Sequence, residues 1–96
     1  MDIEAFRASV ALAESPPGLS LALQTLWWDA KGDWARAHAC AQEDRGIAGS
    51  MVHAYLHRKE PDPDNARYWY DRAQRTPATG SLESEWESLA RELLAN

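Results

Sequence analysis

A single cysteine, Cys40, is all the thiol chemistry in this sequence. One cysteine can close no internal disulfide, so an oxidising compartment is not implied. Long apolar runs are missing too: none approaches the ~18 uninterrupted residues that a membrane crossing requires. The first residues carry Asp2 and Glu4 where a secretory signal would carry bases. A cytoplasmic protein without a membrane partner is therefore expected. Basic charge is the third shortage. Ten Lys and Arg against fifteen Asp and Glu give a net charge of -5, which argues against a phosphate-tracking surface and against nucleic acid as a partner. There is no glycine-rich phosphate loop, serine nucleophile elbow or cysteine cluster. Nor does any segment alternate apolar and polar residues between turn signals, so no strand is expected.

What is present is ordinary for a folded domain: 45 % hydrophobic and 26 % charged residues over a 96-residue chain. That length leaves room for one core, and residues 1–96 are expected to form one helical domain. Asp2 is a good N-cap for a first helix carrying Ile3, Phe6, Val10 and Ala13 at helical spacing, ended by Ser15-Pro16-Pro17. Ser15 is expected to cap a second helix with Leu19, Leu23, Leu26, Trp27 and Ala30 on one side, closed by Gly32. Asp33 caps a third, "DWARAHACAQED", with Gly46 as its left-handed stop. A fourth runs from about Ile47 to Lys59 and breaks at "EPDPDN", where Asp62 or Asp64 caps a fifth around "NARYWYDRAQ". Ser81 opens the last, whose Leu82, Trp86, Leu89, Ala90, Leu93 and Leu94 form the clearest amphipathic stripe in the chain.

Shifting the chain by 29 places Trp28 on His57, Asp33 on Asp62 and Ala37 on Ala66. Each half then reads helix, short break with an aspartate, helix, so two helical hairpins follow one another. In both, an alanine one turn into the second helix lets the paired helices approach closely. The stretches "KGDWARA" and "NARYWYDRA" resemble the second-helix signatures of tetratricopeptide repeats and their Sel-like relatives, over roughly residues 19 to 77. The whole is similar to small bacterial helical proteins of that type, with the first and last helices as flanking caps. The resemblance implies a scaffold that binds a protein or peptide along the first helix of each hairpin. Its groove positions would be Leu26 and Asp29 in one repeat and Tyr55 and Arg58 in the other.

His53 and His57 are one turn apart, so their rings share a face and could grip a divalent metal. The zinc-protease pattern is absent, because Ala54 stands where it needs a glutamate. A third ligand, His38 or Asp62, would join only if the fold brought it near. The same face runs back through Ser50, Gly49 and Gly46, small residues that suit close helix packing. The repeat resemblance implies burial of both histidines against Tyr68, Trp69 or Tyr70. A satisfied polar pair in the interior is thus the first reading, and a small-ligand or metal pocket built on His53, His57, Tyr68 and Tyr70, serving a binding protein or an enzyme, the alternative. Neighbouring Trp27 and Trp28 point ~100° apart and cannot face one packing surface together, which makes Trp28 a candidate exposed anchor. Cys40, two residues after His38, diverges from it and is not expected to act as a nucleophile. Glu83, Glu85, Glu87 and Glu92 are expected on the exposed side of the last helix.

The reading that results is an all-α protein of about six short helices, two tetratricopeptide-like hairpins among them. Its expected function is non-enzymatic protein or peptide binding around Trp28, Leu26, Asp29, Tyr55 and Arg58, with no cofactor and no metal. The leucines of the last helix could alternatively serve as a homodimer face.

Overall fold

The computed structural model describes residues 1–95 and is all-helical, with no strand among them. Its six helices are α1 (Ile3–Ser9), α2 (Leu21–Ala30), α3 (Trp34–Glu43), α4 (Ile47–Lys59), α5 (Pro63–Ala73) and α6 (Leu82–Leu94). Helix α2 pairs with α3 and α4 with α5 as hairpins, and α4 also touches α2, α3 and α6.

The hairpin turns carry the 29-residue repeat into geometry. Asp33 and Asp62 are both N-caps, accepting from the backbone N–H three residues on, Arg36 and Asn65. The N–H groups of the same two aspartates reach back to the carbonyls of Trp28 and His57, at 3.0 and 2.8 Å. The two breaks are thus stopped and restarted by the same bonds, although one contains Gly32 at φ 84° and the other Pro61.

Helix α4 is the axis of the molecule. Every residue from Gly49 to His57 is buried, which explains why it lacks a clear polar face: neighbours cover it all round. Its two long faces meet different partners, because residues two apart point ~200° apart on a helix. Tyr55 looks toward α2 and α6, whereas His53 looks toward α3 and α5.

Several boundaries and faces differ from the sequence reading. Helix α1 ends at Ser9 and α2 begins at Leu21, capped by Ser20 in place of Ser15. The double proline and Gly18, at φ 84°, keep the chain between them out of a helix. Gly46 is not a left-handed stop: its φ is -86° and it caps the start of α4.

The larger difference lies in the groove. Helix α6 lies across α2 and α4, with the Trp86 indole donating to the Leu26 carbonyl at 3.0 Å and its ring stacked on Phe6 of α1. Leu26, Asp29 and Tyr55 are consequently interior residues, at 0, 4 and 2 % exposure. They hold the structure together, and of the three only Asp29 and Tyr55 reach the floor of a cleft beside α6. The Tyr55 hydroxyl donates to Asp29 at 2.7 Å and Lys59 pairs with the same carboxylate at 2.9 Å. Arg58 is likewise engaged, with Glu85 and with the carbonyl of Gly80. Glu85 is therefore buried, against expectation, and also accepts from the Tyr70 hydroxyl at 2.5 Å. The α6 leucines expected as a dimer face turn onto the core, Leu89 fully and Leu82, Leu93 and Leu94 in part. Trp28 is half-buried, edge-on to Trp27 and covered by the Arg36 guanidinium 4.6 Å from its ring centre.

Candidate metal centre

The tight connection between α3 and α4 decides what faces His53. A Cβ on Gly49 would collide with the Asp44 carbonyl and side chain, so only glycine lets the start of α4 lie this close to the end of α3. Two helices folded back over so short a turn oppose residues equidistant from it. His38 lies seven residues before Arg45 and His53 eight after it. They meet: the two Nε2 atoms are 3.0 Å apart.

His57 completes the group from one turn further along α4. The candidate ligand nitrogens of His38, His53 and His57 all lie within 4.8 Å of one another. His53 stacks on His57, and His38 stands edge-on to both. Tryptophans wall the cluster on two sides. Trp69 of α5 lies flat on His53 with ring centres 3.9 Å apart, and Trp34 of α3 stacks on His38 at 4.7 Å. The Trp34 indole is itself pinned by a bond to the Leu56 carbonyl at 3.3 Å.

The electrostatics favour uncharged rings. Burial, reinforced by His38 and His57, pushes His53 down to about 4. His38 is lowered as well, by burial first and His57 second. Both therefore present neutral imidazole at neutral pH, the form that ligates metals. A 3.0 Å contact between two ring nitrogens needs a proton between them, since two lone pairs would repel; a cation would do the same work.

The donor set can be tested against a metal's demands. Tetrahedral coordination at ~2.0–2.1 Å per nitrogen separates ligand atoms by roughly 3.3 Å. The His38–His53 spacing is already near that value, and the 4.8 Å limit leaves only a ring adjustment for the third donor. His57 Nδ1 is buried without a hydrogen-bond partner among the described residues, which leaves that ring free of a bond that would resist the adjustment. Three imidazoles and no carboxylate suit zinc, copper, nickel or cobalt and disfavour magnesium and calcium.

The tyrosines expected in this pocket are elsewhere. Tyr70 points to Glu85 on the other side of α5, and Tyr68 is half-exposed, bonded through its hydroxyl to Arg72. His38, Trp34 and Trp69 take their place around His53 and His57. Asp62 caps α5 and is not in the cluster. The missing clue was mirror symmetry about the α3–α4 turn, visible once both helix ends are placed. Comparison with protein-family models, with curated proteins and with solved structures gives no match for this chain.

Proposed function

We propose that this chain is a small helical metal-binding protein that holds one divalent transition-metal ion, zinc foremost, through His38, His53 and His57. The observation that carries the reading is the convergence of three imidazoles, from two helices, with candidate ligand nitrogens within 4.8 Å of one another. His53 and His57 supply the one-turn pair, and His38 supplies the third donor across the α3–α4 interface. The test is equilibrium dialysis against zinc followed by elemental analysis and chelator competition. One equivalent per chain is expected, and His38→Ala, His53→Ala or His57→Ala should each weaken binding by roughly a hundredfold or more with helix content unchanged. Sub-stoichiometric zinc, or equal affinity in the variants, overturns the reading.

A second reading, peptide binding, draws on the part of the groove that α6 leaves uncovered. A cleft of about 760 Å³ opens there between α1, α2, α4 and α6, floored by Asp29, Tyr55 and Trp86 and rimmed by Arg7, Lys59 and Glu87. A cavity of that size with mixed charge suits a chain terminus or a single extended side chain better than a whole helix. Arg7→Ala, at an exposed position on the rim, would leave the fold intact and weaken a peptide whose carboxylate enters the cleft; unchanged binding of every captured peptide counts against this reading.

A further inference from the structure

Three protein donors fill three corners of a tetrahedron, and a fourth ligand has to come from outside the cluster. Resting on the metal-binding reading, we infer that the fourth ligand is a small oxyanion, a carboxylate or phosphate group, entering through the cleft beside His53 where Arg45 and Arg72 stand.

That cleft has a volume of about 370 Å³ and runs between the end of α3, the start of α4 and α5. His53 and Ser50 form its floor, and Trp69 one wall. Its charge is asymmetric. Two guanidinium groups, Arg45 and Arg72, face one carboxylate, Asp44, whose Oδ1 is already occupied by the backbone N–H of Gly46 at 2.9 Å. Arg45 makes no ion pair among the described residues. Arg72 lies over the Trp69 and Tyr68 rings, 5.4 and 5.9 Å from their centres, and donates to the Tyr68 hydroxyl without pairing to a carboxylate among the described residues. Both forks are thus available to an acceptor, and their planar donors match carboxylate and phosphate oxygens two at a time. Of the three donors His53 alone lines this cleft, so an oxyanion there would reach the metal from the His53 side and offer its remaining oxygens to the guanidinium groups.

The experiment uses the full chain loaded with cobalt(II), whose visible absorption reports its ligands. The loaded protein is titrated separately with acetate, phosphate and, as a control, perchlorate. A saturable spectral change with acetate or phosphate and none with perchlorate is expected, and which of the two binds more tightly identifies the ligand as carboxylate or phosphate. The double variant Arg45→Gln, Arg72→Gln should bind cobalt as before and lose about tenfold or more in oxyanion affinity. Cobalt that binds but whose spectrum ignores both oxyanions, or an affinity unmoved by the double variant, overturns the inference and leaves the metal site standing. Failure to bind cobalt at all removes both.

Discussion

Gly49 does at the level of one atom what the α3–α4 hairpin requires. Adding a methyl there drives it into the Asp44 backbone, which belongs to the turn and cannot move aside without shifting α3. Gly49→Ala should therefore destabilise the protein by about 2–3 kcal/mol, read from the urea midpoint, although alanine is the better helix former. His53 carries a different prediction. Its imidazole titrates near 4 when folded against about 6.5 when unfolded, so the unfolded chain binds the extra proton. Metal-free protein should lose stability as pH falls from about 6.5 to 4, by up to roughly 3 kcal/mol from this group, and no further below. His53→Gln should remove that share of the acid sensitivity, which urea titrations in chelator at a series of pH values would show. At this scale the sequence was half legible. The one-turn spacing of His53 and His57 and the capping roles of Asp33 and Ser81 could be read directly, and the cap of α5 down to Asp62 or Asp64, because each depends on near neighbours in the chain. His38 could not be assigned, because its meeting with His53 depends on how tightly two helices fold over.

Among the elements, α4 and α6 divide the work. The apolar stripe of α6 was plain in the sequence, and so was its start at Ser81. What it covers was not, since an amphipathic helix records that it needs a partner without recording which one. The answer turned the repeat-like groove into an interior: Trp86 fills it, stacking on Phe6 and bonding to Leu26. Glu85, beside it, ties α6 to Arg58 of α4 and Tyr70 of α5. Trp86→Ala should cost about 3–5 kcal/mol and detach α6 before the hairpins unfold, seen as early amide exchange confined to residues 82–94. Simultaneous loss of protection across all helices would show that α6 is no separate unit. The region between α1 and α2 was misread for a related reason. Two prolines and a glycine leave several competent caps, and tertiary contacts select where α1 docks: the buried Ser9 hydroxyl bonded to the Trp27 indole at 3.1 Å, and Phe6 stacked on Trp86.

For the molecule as a whole, the proposed ion bridges α3 and α4, a junction less extensive than those within the hairpins. A ligand that binds only the folded chain adds about 2.7 kcal/mol at a hundred times its dissociation constant. In a domain of this size that raises Tm by roughly 4–8 °C per kcal/mol. Zinc should accordingly raise Tm well above that of the chelated protein, by scanning calorimetry, and should leave that of His38→Ala unmoved. The all-helical architecture and its hairpin repeat were legible because they rest on period and on capping, both local. The site was legible only in part because it is tertiary. Yet it is barely so: all three donors fall between residues 38 and 57, within one helix-turn-helix. A metal held by so short a span closes a small loop, at small entropic cost, before α1, α5 or α6 need be in place. Its effect would then fall on how fast the chain finds its native topology as much as on how firmly it keeps it, with the ion acting as a folding nucleus.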